Sequence, residues 1–146
     1  MELLPLGDVE LHYTSLTSIT FGAGGQNYGT MEGWLRGEAV RGELRLTNFA
    51  PQRPDNVNLP TLRGLLTTED GAIIAVEMNG IATLREADHA RVFVTSLTFR
   101  TGDARYSWLN TIFGVLEGVL DTVTLVARGR AYHCNPTLGT VASAKG

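Results

Sequence analysis

Apolar and polar residues alternate with a period of two along most of this chain, and that alternation predicts strand after strand. In residues 10–21 Leu11, Tyr13, Ser15, Thr17, Ile19 and Phe21 face one way and His12, Thr14, Leu16, Ser18 and Thr20 the other, with the β-branched content of a long strand. Residues 30–36 and 38–47 read as two strands or one bent strand, with Gly33, Gly37 and Gly42 as places where a sheet bends. Residues 61–68 and 72–79 form a hairpin, 81–90 a polar connection, and 91–101 a further strand. Residues 106–118 are ambiguous between a strand and a short helical turn, and we read them as a strand interrupted at Gly114; residues 121–132 complete the set. Seven or eight evenly spaced strands with almost no helical periodicity indicate a barrel or a sandwich.

The hairpin fixes a local register. A two-residue Asp70-Gly71 turn pairs Leu66 with Ala75, whereas a bulged Glu69-Asp70-Gly71 turn pairs Leu66 with Ile74 and Arg63 with Glu77. One residue of slip exchanges the faces. The bulged register gives a uniformly apolar face (Leu62, Gly64, Leu66, Ile74, Val76, Met78) and a mixed face carrying Arg63, Glu77 and Asn79, and we prefer it. Upstream, Pro51, Pro54 and Pro60 restrict the backbone and withhold ladder donors, so residues 48–60 read as a shaped polar loop rather than a central strand.

Composition narrows the classes. A chain of 146 residues is expected to be one domain, here residues 1–134 followed by a flexible tail at 135–146, and is long enough to bury roughly two-thirds of its unfolded surface. Its single cysteine, Cys134, cannot form an internal bridge, and with no basic leader before an apolar run at residues 1–8 the expected setting is cytoplasmic. No run approaches the roughly 18 apolar residues of a spanning helix, so no membrane partner is expected. Net charge is −3 and the 12 basic residues are scattered, which argues against nucleic acid. All but Lys145 are arginines, suited to planar recognition of carboxylates. The glycine-rich run at residues 22–29 places Asn27 where a dinucleotide fingerprint needs glycine, and no helical pattern follows it. His12, His89 and His133 lack metal-ligand spacing, and no Gly-x-Ser-x-Gly elbow is present; no metal and no cofactor are expected.

Gly24-Gly25, Gly33 with Leu35-Arg36-Gly37, Arg63 before Leu66-x-Thr68-x-Asp70-Gly71-Ala72-x-Ile74, Gly80, Phe99-Arg100-Thr101 and Tyr106-x-Trp108-Leu109-Asn110 follow in an order and spacing that resemble the family called domain of unknown function 3237, over the chain to about Tyr132. The resemblance implies an all-β fold, a closed or nearly closed antiparallel barrel of about eight strands, lipocalin-like or allene-oxide-cyclase-like, forming a homodimer or higher homo-oligomer. Most members have no assigned activity, and some are similar to cofactor-independent lyases or decarboxylases acting on phenolic acids. Two departures stand out: Leu46-Thr47-Asn48-Phe49 replaces a glycine-rich run ending in Asp-Trp, and Thr61 stands where an Asp precedes the arginine by two.

Chemistry is therefore expected at a barrel mouth. Arg53 and Arg63 are candidate anchors for the carboxylate of a small aromatic or apolar acid, with Trp108 and Asn110 as further substrate contacts. Asp55 and Glu77 are candidate general acids or bases if burial raises their pKa, and Tyr106 with Asn110 can polarise a carbonyl or phenolate. The functional expectation is a cofactor-independent lyase, decarboxylase or isomerase acting on a small aromatic or polyketide-like acid; the alternative is a non-enzymatic lipocalin-like barrel that binds an apolar ligand.

Overall fold

A computed structural model of the chain describes residues 1–139. Within them eight strands run β1 (Glu2–Phe21), β2 (Gly24–Arg36), β3 (Arg41–Gln52), β4 (Thr61–Thr68), β5 (Ile73–Leu84), β6 (Arg91–Arg100), β7 (Gly114–Asp121) and β8 (Val126–Asn135). Each pairs antiparallel with its neighbours and β1 pairs with β8, so the sheet closes into a barrel. Closure removes the free edges over the length of the barrel, while β1 beyond His12 pairs with β2 alone.

Closure depends on β1, which pairs with β2 along most of its length and with β8 over its first half. Its register shifts between Pro5 and Gly7 against β8, and between Tyr13 and Ser15 against β2. Such bulges bend a strand and increase its twist, which lets one strand turn the corner of a barrel. The inward face is apolar: Leu35, Leu44, Leu66, Ile74 and Leu116 are each no more than 2% exposed. Arginine and glutamate alternate with them on the outside of β3, where Glu43 and Arg45 flank buried Leu44.

The bulged hairpin register is present as expected, with Leu66 opposite Ile74 and Arg63 opposite Glu77. Gly71 carries a φ of 90°, a conformation costly for any residue with a Cβ, and the turn is tied by Gly71 N–H to Thr68 O at 3.0 Å.

Five boundaries differ from the sequence reading. Residues 48–52 are strand, not loop, because β3 continues along β2 after β4 has ended; with β4 gone, Pro51 has no ladder on that side to break. For the same reason β2 begins within the glycine-rich run, at Gly24. The connection at 81–90 is shorter than expected, since β5 extends to Leu84 against β6. The interrupted strand at 106–118 is instead a 3-10 helix, Ala104–Thr111, followed by β7. Two local devices favour the helix: Asp103 caps it by accepting from Arg105 N–H at 2.9 Å, and the Asn110 amide exchanges two hydrogen bonds with the Thr101 backbone. One side chain of this helix, Leu109, is fully buried and plugs the lower end of the barrel. Asn135, assigned to the tail, belongs to β8 and pairs with Glu2; residues 140–146 of that tail lie outside the described residues.

Candidate functional site

The end opposite the plug is ringed by the β1–β2, β3–β4, β5–β6 and β7–β8 connections, and it opens into a cavity of about 70 Å³, or about 600 Å³ with the open mouth included. Most of the lining is apolar, including Leu11, Met31, Leu62, Met78, Phe93 and Leu116. The polar lining comes from Tyr13, Asn27, Asn48, Asn58, Arg91 and Thr95. Such an apolar hollow with a few converging polar groups is the usual form of a small-molecule site.

Tyr13 stands at the β1 bulge, where that strand leaves β8. A Cβ on Gly29 would lie 2.7 Å from its ring, so the absence of a side chain there makes room for the phenol. Asn48 orients the hydroxyl. Thr61 N–H donates to Asn48 Oδ1 at 3.0 Å, which leaves Asn48 Nδ2 as the donor to Tyr13 Oη at 2.8 Å. Because the phenol oxygen already accepts, its own proton is available to another acceptor. Burial pushes the Tyr13 pKa above its ordinary value and the Asn48 hydrogen bond offsets only part of that, so the phenol stays protonated at neutral pH. It is a donor, not a base.

Across the barrel, on β6, stand Arg91 and Thr95. The Arg91 side chain is buried, only 9% exposed, and it donates to Asn56 O at 2.5 Å and Asn56 Oδ1 at 2.8 Å. Asn56 has a φ of 65°, a left-handed conformation that asparagine tolerates better than most residues. Among the described residues no carboxylate pairs with Arg91. Desolvation lowers its pKa, which expresses the cost of holding a guanidinium here without an anion. Two further polar atoms near this wall, Thr95 Oγ1 and Asn58 Oδ1, are buried with no hydrogen-bond partner among the described residues. Asn58 is fixed by its backbone, which exchanges hydrogen bonds with Ala82 at 2.9 and 3.0 Å.

The residues singled out from sequence occupy three separate places. Arg63 and Glu77 are neighbours, at 3.5 Å, but on the outer wall, where Glu77 also accepts from Arg100 at 2.9 Å; they do not enter the cavity, because the register that pairs them puts Leu62 and Met78 on the inside instead. Arg53 and Asp55 lie on the β3–β4 loop at the mouth and pair with each other in solvent. Arg53 holds the Asp55 pKa below its ordinary value, opposite to the rise a general acid at neutral pH needs. Tyr106, Trp108 and Asn110 are at the plugged end, remote from the mouth. Tyr106 donates to Asp70 at 2.9 Å, Asn110 serves the Thr101 backbone, and Trp108 is partly exposed. The structure thus places Glu77, Arg63, Tyr106, Trp108 and Asn110 outside the cavity.

Tyr13, Asn48, Asn58, Arg91 and Thr95 were missed. Tyr13, Arg91 and Thr95 carry no local signal, since each occupies an ordinary strand position. A signal did exist for Asn48, since it falls in one of the two departures from the family pattern; Thr61, at the other, contributes its backbone N–H to Asn48. Among the described residues no group of three or more His, Cys, Asp or Glu is placed to hold a metal ion, and no helix is long and apolar enough to cross a membrane.

Solved structures share this architecture. A β-barrel-like protein from Acinetobacter baumannii superposes with a TM-score of 0.78 at 19% identity, covering 90% of this chain and 94% of its own. A conserved protein of unknown function from Rhodopseudomonas palustris gives 0.79 at 20% identity, over 90% and 96%. An enzyme from Penicillium herquei gives 0.59 at 16% identity, over 90% and 98%. No curated protein matches the sequence. The family described as protein of unknown function DUF3237 matches residues 4–123, from β1 through β7, and with the closed barrel already established the chain belongs to that family.

Proposed function

We propose that the open end of the barrel binds a small, largely apolar acid and acts on it without a cofactor, as a lyase, decarboxylase or isomerase in which Tyr13 is the proton donor. The observation that carries this reading is the Tyr13–Asn48–Thr61 chain, which leaves a half-buried, protonated phenol with its hydrogen uncommitted at the wall of an apolar cavity. A donor aimed into a low-dielectric space stabilises charge developing on a carbonyl or phenolic oxygen more strongly than water does. Burial also favours the neutral phenol in the resting state. The likeness to the Penicillium herquei enzyme is one of fold and adds no residue to the case.

A second reading has its own support. Among the lining residues there is no carboxylate and no histidine to receive a proton, which suits a carrier of apolar acids rather than an enzyme. A thermal-shift screen of phenolic, aromatic and short polyketide-like acids finds ligands under either reading, because ligands of the folded state raise its melting temperature. Hits are then incubated with the protein and with Tyr13→Phe, and products are followed by mass spectrometry. Catalysis predicts turnover that falls about 100-fold or more in Tyr13→Phe with little loss of binding. Turnover unaffected by Tyr13→Phe removes the proposed role, and binding without turnover by the wild-type protein leaves the carrier.

A further inference from the structure

The wall facing Tyr13 carries a guanidinium whose two hydrogen bonds go to a neutral residue, Asn56, and two polar side-chain atoms that no group among the described residues satisfies. Arg91 and Thr95 come from β6, and Asn58 is held beside Ala82 of β5. The Arg91 guanidinium is buried without a carboxylate among the described residues, and Thr95, 3% exposed, has a hydroxyl with no partner. Leaving such groups dry is unfavourable, and a native interior does so rarely without a reason. Asn58 has a side-chain amide that can turn to offer either its oxygen or its nitrogen inward, since no group among the described residues holds its oxygen. A guanidinium, a hydroxyl and an amide are all able to donate, and together they match one functional group: a carboxylate, whose two oxygens accept about four hydrogen bonds.

Building on the reading of the mouth as an acid-binding site, we infer that Arg91, Thr95 and Asn58 form the carboxylate subsite, and that the carboxylate is retained as an anchor rather than lost as carbon dioxide. Arg91 opens β6 beside the mouth loop and Asn58 belongs to that loop, so the acid end lies near the rim while the apolar remainder meets Leu62, Met78 and Leu116 inside. Retention follows from charge. Decarboxylation moves the negative charge off the carboxylate as the bond to carbon breaks, and a guanidinium held against that carboxylate stabilises the starting state more than the transition state. An anchored acid instead leaves the opposite end of the molecule for Tyr13 on β1. Within the proposed reactions this disfavours decarboxylation and leaves Tyr13 to donate a hydrogen bond to an oxygen away from the acid.

The test compares 4-hydroxybenzoate, its methyl ester and phenol as probes, by calorimetry and thermal shift. The ester removes the charge and phenol removes the carboxyl group. The subsite predicts that the acid binds about 10- to 100-fold more tightly than either neutral probe, and that Arg91→Met abolishes the preference. Thr95→Val supplies a variant that needs no new contact to fold. It is expected to leave the unliganded protein as stable or more so, because an unpaired hydroxyl is removed, while weakening the acid about threefold to tenfold and leaving the neutral probes unchanged. Equal binding of all three probes overturns the inference while the cavity remains a ligand site. Equal loss of all three in Arg91→Met, with no selective effect in Thr95→Val, assigns Arg91 to holding Asn56 and overturns it as well. Binding of none of the probes at millimolar concentration overturns both the subsite and the acid-binding reading.

Discussion

Replacing Asn48 with alanine tests the arrangement on which the proposed chemistry depends. Asn48 is 7% exposed and makes two hydrogen bonds, accepting from Thr61 N–H at 3.0 Å and donating to Tyr13 Oη at 2.8 Å. Alanine leaves the Thr61 amide without its acceptor and takes from the phenol oxygen the donor it accepts from. Each orphaned group costs about 1–3 kcal/mol, and allowing for partial access of water to the mouth the expected destabilisation is about 2–4 kcal/mol. For a chain of this length that lowers the melting temperature by about 5–15 °C. A second consequence concerns protonation. The Asn48 hydrogen bond favours the phenolate, so its loss raises the Tyr13 pKa further. Urea unfolding measures the first effect. The second is read from the ultraviolet titration of tyrosinate, with Tyr13→Phe subtracted to isolate the one residue. A variant within about 0.5 kcal/mol of the parent, with an unchanged Tyr13 titration, would refute the claim that Asn48 orients and supports the phenol.

Other expectations follow from the same geometry. Leu109→Ala removes the fully buried plug of the lower end and is expected to cost about 2–5 kcal/mol by urea unfolding, with no direct effect on ligands at the mouth. Paired replacement of Arg63 and Glu77 by alanine changes stability by no more than about 1 kcal/mol and leaves acid binding unaltered in calorimetry, because both side chains stand on the outer wall. Acid is expected to loosen the β5–β6 connection: hydrogen bonding from Arg85, then from Ala90 N–H, holds the Asp88 pKa at about 2. Since the folded value lies below the unfolded one, that stabilisation is present above about pH 4 and is lost as pH falls through about 2, which amide hydrogen exchange at Ala90 detects. At the alkaline side the sign is reversed for Tyr13. Its raised pKa contributes stability below about pH 10 that is lost as pH rises through the folded value, and Tyr13→Phe removes that dependence in unfolding measurements.

What the sequence determined by itself was local and periodic. Alternation at a period of two identified most of the strands, and the contrast between an apolar and a mixed face chose the register that pairs Leu66 with Ile74. That inference works because one slipped residue would have turned a buried set of side chains into solvent. The same pairing brought Arg63 beside Glu77, but sequence could not say that their shared face points outwards; the inside of a barrel is decided by the direction in which the closed sheet curves. Tertiary structure alone decided the site. Tyr13 and Asn48 are 35 residues apart, as are Asn56 and Arg91, and only closure of β1 onto β8 sets the phenol and the guanidinium on facing walls of one cavity. The proline-rich region singles out Arg53 and Asp55, which neutralise each other in water, while its residues that line the cavity are Asn48, Ala50, Asn58 and Pro60, with Asn56 holding Arg91. Local pattern reports whether a side chain is apolar and which neighbours share its face. Whether a polar group is left dry and unpaired depends on what arrives from distant strands, and that is the property from which function is read here.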